Sequence, residues 1–211
     1  MDATLDTSLW TSFAAIAGLW LITVISPGPN FVATSHAAVT HSRRAGVLVA
    51  AGIALGTTVW STASLLGLGL LFQTAAWLYQ VVKLAGAAYL VYVGVRMIAA
   101  RTTAVSAGPS VRGLSAIGAF RRGVQIDLSN PQAAAFFTSL FAVAVPPEAP
   151  FWFQATIVGT VVVMAGGWYA IVACAMASTP VAALYRRAQR TILRLTGALF
   201  VVFGVRLAVE R

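Results

Sequence analysis

Asp127 is the only acid inside an apolar run of this chain, and few other side chains there could do chemistry. A carboxyl near mid-bilayer costs about 2.5–3.5 kcal/mol on insertion scales, a cost that points to function. A proton and a cationic ligand group would compete for that one carboxylate, which is the chemistry of antiport. The structural alternative is an ion pair with Arg121 or Arg122, about one and a half turns earlier, which would draw Asp127 toward an interface. Gln132 offers either a hydrogen bond to a ligand or a helix cap. Lys83 either snorkels its ammonium to the headgroups or acts as counter-ion to a carboxylate. His36 and His41 stand five apart, off the i, i+4 spacing of a metal pair, with no acid or thiol beside them. No metal and no cofactor is expected. Cys174 is the only cysteine, so an intrachain disulfide is not available.

A broken helix must position Asp127. The stretch Asp127-Leu128-Ser129-Asn130-Pro131-Gln132 and a second one, Ser26-Pro27-Gly28-Pro29-Asn30, each interrupt a run long enough to span a bilayer. A break in lipid strands backbone N–H and C=O groups, so it persists only where protein, cavity water or a ligand satisfies them. At each break Gly28 or Asn130 can cap a new half-helix, with Pro29 or Pro131 at its first position. Ser26, Gly28 and Asn130 precede prolines and are expected to hold the unwound backbone. Unpaired N–H groups of Asn30, Phe31 and Val32, and of Gln132, Ala133 and Ala134, would then gather at the positive ends of two helix dipoles and bind an anion. Pro27, Pro29 and Pro131 cannot donate to the carbonyls of Thr23, Ile25 and Asp127, which are expected to accept from an ammonium. Simple kinks are the alternative reading.

The surrounding composition puts these breaks in a membrane. The chain is 59% hydrophobic and 9% charged over 211 residues, too little polar surface to coat a soluble globule. Apolar runs near 9–40, 45–72, 76–99, 119–146, 151–177 and 190–209 predict six transmembrane helices in an all-α protein. Asp2 and Asp6, with no Lys or Arg before the first run, argue against a cleaved signal. The net charge of +9 is sorted by loop and forms no stripe or arm, so nucleic acid is not an expected partner. Arg43 and Arg44, then Arg96, Arg101, Arg112, Arg121 and Arg122, then Arg186, Arg187 and Arg190 fall in alternate loops. Those loops should be cytoplasmic and both termini periplasmic, with Arg206 and Arg211 dissenting.

The third and sixth runs repeat one pattern. Lys83 or Arg194 opens it, a glycine follows three residues later at Gly86 or Gly197, and two aromatics come three apart at Tyr89 and Tyr92 or Phe200 and Phe203. Gly94-Val95-Arg96 or Gly204-Val205-Arg206 closes it. If spans one to three and four to six are copies, their odd number of crossings makes them inverted repeats. The expected units are residues 1–101 and 119–211, joined by a cytoplasmic linker over 102–118. Opposite entry then puts the broken helices 1 and 4 at one depth with their breaks facing, as in transporter binding sites. Thr57, Thr58, Trp60 and Ser61 give the second run a polar middle that suits a pathway wall, although Ser and Thr also bond to their own helix. Gly52 and Gly56 form a G-x-x-x-G, a sign of close helix contact that does not name the partner.

Ser26-Pro27-Gly28-Pro29-Asn30-Phe31, Gly86-Ala87-Ala88-Tyr89-Leu90 with Gly94, and Phe120-Arg121-Arg122-Gly123 through Asp127-Leu128-Ser129-Asn130-Pro131-Gln132 resemble the LysE/RhtB family of amino-acid exporters. The resemblance covers nearly the whole chain. Many members look to carry Lys after the Asn-Pro, where this chain has Gln132, and Asp-Leu-Ser-Asn-Pro-Gln looks like the threonine-efflux branch. It implies a bacterial inner-membrane exporter of amino acids such as threonine or homoserine, driven by the proton-motive force. The residues themselves agree with a zwitterion, its carboxylate at the helix ends and its ammonium on freed carbonyls or Asp127. The expected partners are a small amino acid and membrane lipid; self-association is left open.

Other functions stay open on the residues alone. Export of a cation or another small metabolite is one, though the absence of Cys clusters or His pairs argues against soft metals. An intramembrane enzyme would need a second convergent group beside Asp127, and no other acid lies within a run, so an enzyme is not expected. An assembly subunit would use Gly52 and Gly56 as contacts and its prolines as kinks.

Overall fold

The computed structural model describes residues 3–74, 76–99, 114–146 and 149–209, and all regular structure among them is helical. Its eight helices are α1 (Ala3–Ile25), α2 (Pro29–Thr40), α3 (Arg43–Thr74), α4 (Ala76–Ala99), α5 (Ala116–Leu128), α6 (Pro131–Ala144), α7 (Phe151–Met176) and α8 (Thr179–Val209). Residues 102–113 of the expected linker lie outside the described residues.

Both interruptions are present. α1 stops at Ile25, Gly28 takes an extended conformation (φ −119°, ψ −172°) and α2 restarts with Pro29 in its first turn. The axes of Leu9–Ile25 and Pro29–Thr40 differ by 49°. α5 begins behind Ser115, whose hydroxyl accepts from the Gly118 N–H at 3.0 Å. It ends at Leu128, and α6 starts at Pro131.

Among the described residues, Arg43–Gly67 and Phe151–Met176 are long and apolar enough to cross a bilayer, and the bent pair Leu9–Ile25 and Pro29–Thr40 is so when taken as one span. The chain is an all-helical membrane protein. Large apolar side chains face outward along it, such as Val59, Leu66, Val163, Ile171 and Val202, as lipid contact requires.

α3 lies at the centre and packs on α2, α5, α6 and α7, while α4 pairs chiefly with α8. The partner of the G-x-x-x-G is α5. A methyl on Gly52 would lie 2.8 Å from the Val124 nitrogen, and one on Gly56 would lie 2.5 Å from Oδ2 of Asp127. Absence of side chains lets the two backbones approach and seats the carboxyl against α3. The core beside the breaks is aromatic. Trp20 packs on Phe137 at a 4.7 Å centroid distance, Phe136 stacks on Phe200 at 5.7 Å, and the Trp20 indole donates to the Val161 carbonyl at 2.9 Å.

Candidate functional site

The two breaks meet at one cavity of about 70 Å³. Ser26, Pro27, Gly28, Pro29 and Asn30 line it from the first break, and Asn130 does so from the second. Trp20, Thr23 and Val24 of α1, Met97 of α4, Ala133 and Phe136 of α6, and Tyr169 of α7 complete the wall. The sequence points to Thr23 and Ala133 through their backbone groups and carries no signal for the other five, because their place depends on which helices surround the breaks.

Asp127 sits just behind this wall. It is 1% exposed, and its Oδ1 accepts from the Asn30 amide at 2.6 Å, which ties the first break to the helix before the second. Its carbonyl accepts from the Trp60 indole at 3.1 Å. The neighbours are thus polar and uncharged. Arg121 and Arg122 are exposed, and Asn30 rather than either arginine is the partner of the Asp127 carboxyl.

The backbone at the breaks differs from expectation. The Thr23 carbonyl accepts from the Ser26 N–H at 3.1 Å, and the Asp127 carbonyl accepts from the Asn130 N–H at 3.1 Å as well as from Trp60. Each helix end tightens into an i to i−3 turn, so the Asp127 oxygen is taken by two donors and the Thr23 oxygen by one. The donors shift too. Val32 bonds to the Gly28 carbonyl at 3.0 Å, and Ala133 and Ala134 bond to the Asn130 carbonyl at 3.1 and 3.4 Å. Val32 and Ala134 stand four residues past Gly28 and Asn130, where the i to i−4 ladder begins, and Ala133 adds an i−3 bond, so fewer N–H groups remain for an anion than expected.

Several side-chain atoms are unpaired as well. Ser26 Oγ, Asn30 Oδ1 and Asp127 Oδ2 are buried without a hydrogen-bond partner, and so are Thr34 Oγ1 and Ser35 Oγ farther along α2. Such groups are rare in a finished core, and a water or ligand can satisfy them. In the polar middle of α3, hydroxyls bond to their own helix. Thr58 Oγ1 bonds to the Ala54 carbonyl at 2.9 Å and Ser61 Oγ to the Thr57 carbonyl at 2.7 Å, both within α3. None of Thr57, Thr58, Trp60 and Ser61 lines the cavity; Trp60 reaches the site through Asp127. Lys83 lies in α4, and Pro131 and Gln132 open α6, but the side chains of these three lie outside the described residues.

The LysE type translocator family description matches residues 21–211. The chain is 32% identical over 202 residues to the threonine efflux protein of Escherichia coli (strain K12), covering 94% of this chain and 98% of that one. An uncharacterized membrane protein of the same strain, YahN, is 33% identical, with 92% and 87% covered. The homoserine/homoserine lactone efflux protein of Salmonella typhimurium is 28% identical, with 89% and 91% covered. No solved structure matches the chain. With the family description matched over most of its length, the chain belongs to the LysE type translocators and is a transport protein rather than an enzyme.

Proposed function

We propose that this protein exports a small amino acid of the threonine or homoserine kind across the bacterial inner membrane, in exchange for protons. The observation that carries the reading is one cavity lined by both proline breaks, with the buried Asp127 tied to its wall by Asn30. The names of the threonine and homoserine efflux relatives supply the substrate class. In this reading Ser26 to Asn30, Asn130, Pro131 and Gln132 form the substrate site, and Asp127 carries the proton. Lys83 and the polar middle of α3 border the route.

The same reading pairs α1 with α2, and α5 with α6, as broken spans, giving six crossings in two inverted repeats over 1–101 and 119–211. Both termini are periplasmic and the basic loops cytoplasmic. Reciprocal contacts between α4 and α8 support the repeat. A methyl on Gly94 would lie 2.5 Å from the Gly197 carbonyl oxygen, a methyl on Gly197 would lie 2.5 Å from that of Gly94, and one on Gly204 would lie 2.7 Å from that of Ala87. The closing glycine of the first pattern thus meets the opening glycine of the second, and the closing glycine of the second meets the opening stretch of the first.

Inverted membrane vesicles loaded by external labelled amino acids test this function. Energised vesicles, acidic inside, should take up threonine or homoserine, and a protonophore should stop the uptake. Uptake indifferent to the gradient would remove proton exchange; no uptake of any amino acid would remove the reading.

A further inference from the structure

We propose that Asn30, and not Asp127, holds the substrate's ammonium, its carbonyl oxygen Oδ1 turned toward the substrate because the Asp127 carboxylate takes its amide nitrogen. The proposal rests on the amino-acid export reading and deepens it. Of these two side chains only Asn30 lines the cavity; Asp127 lies behind it, seated on Gly56. The Thr23 and Asp127 carbonyls at the breaks already accept from the protein. Oδ1 of Asn30 is a buried acceptor without a donor, and Ser26 Oγ, on the other side of the break in the same wall, is also unpaired. A zwitterion offers donors and acceptors a few ångströms apart, which suits that pair.

The chemistry of the amide makes Asn30 responsive to the proton. An ionised carboxylate only accepts hydrogen bonds, so it selects the orientation in which Asn30 Nδ2 faces it at 2.6 Å and Oδ1 is left for an ammonium. A protonated carboxyl can donate to Oδ1 instead. The amide then reverses and presents its NH2 group to the cavity, where it cannot accept from an ammonium. Asp127 would release substrate without touching it. The groups facing this carboxyl are Asn30 from α2 and Gly56 and Trp60 from α3. None is charged. Arg121 and Arg122 on α5 are exposed, His36 is half-buried farther along α2, and Tyr169 of α7 faces the cavity.

Calorimetry on the purified full chain, with L-threonine and with 3-hydroxybutyrate, which lacks only the ammonium, tests the assignment. The wild type should bind threonine about tenfold or more tightly than 3-hydroxybutyrate, the scale of a hydrogen bond to a charged group. In Asn30→Ala the two affinities should differ by less than about twofold. Asn30→Ser carries the same comparison if the alanine variant does not fold. Acidification should weaken threonine binding in the wild type and leave it unchanged in Asp127→Asn. An ammonium preference undiminished by the Asn30 variants overturns the proposal, as does an acid response that survives Asp127→Asn. Failure of the wild type to bind any amino acid would overturn the export reading along with it, whereas threonine binding with an undiminished preference in the variants overturns the Asn30 assignment alone.

Discussion

The Asn30 amide nitrogen lies 2.6 Å from Oδ1 of Asp127, a side-chain tie across 97 residues of sequence. It joins the first turn after one helix break to the last turn before the other. Two half-helices on opposite sides of the cavity wall are therefore tied together at a buried acid.

Asp127→Asn should insert and fold, because an amide fills the same space and can still bond to Asn30. Energised inverted vesicles carrying it should take up no more amino acid than vesicles treated with a protonophore. Uptake that still rises with the proton gradient would take the proton-coupling role away from Asp127.

Ser26→Ala separates binding from folding. The Ser26 hydroxyl has no partner in the protein, so its loss should change stability by less than about 0.5 kcal/mol. Substrate affinity should nevertheless fall about fivefold or more, because the removed group lines the cavity. Thermal unfolding in detergent and calorimetry read the two effects separately; unchanged affinity would remove Ser26 from the site.

Gly56→Ala should disturb the site from behind. Its methyl would lie 2.5 Å from Oδ2 and 2.7 Å from Cβ of Asp127, so α5 must move away from α3 at a cost of about 1–3 kcal/mol. Gly167→Ala is the control, since its methyl meets nothing within 4 Å and helix propensity favours alanine by about 0.5–1 kcal/mol. A lower melting temperature for the first variant and an equal or higher one for the second is the expected pair of results.

Pro29→Ala and Pro131→Ala restore backbone donors at the starts of α2 and α6. Continuous helix should then compete with the break, and substrate affinity should drop about tenfold while the protein still folds. Binding that survives both replacements would show that the breaks are packing kinks.

Trp60→Phe removes the donor to the Asp127 carbonyl but keeps most of the apolar bulk. A loss of about 1 kcal/mol in stability is expected from the missing hydrogen bond. Affinity should fall less than in Asn30→Ala, since Trp60 does not line the cavity.

Local chemistry makes the breaks legible in the sequence. Proline lacks an N–H wherever it stands, so Pro27, Pro29 and Pro131 interrupt the helical ladder in any fold, and Asp127 stands out as an acid among apolar neighbours. The G-x-x-x-G at Gly52 and Gly56 announced close approach but left its partner open. The carbonyls of Thr23 and Asp127 accept from the protein for a local reason: helix ends tighten to i−3 bonds when the i+4 donor is a proline.

The sequence by itself therefore determined that this chain is helical, lives in lipid, breaks twice and carries one interior acid, because periodicity, hydropathy and proline geometry act over a few residues. Tertiary structure alone decided which groups converge: that α5 closes on Gly56, that Asn30 screens Asp127 from the cavity, and that Trp20, Met97 and Tyr169 wall it. Those relations join residues far apart in sequence. They depend on which helix faces meet, and near-uniform apolar helices carry little pattern to say which face turns inward.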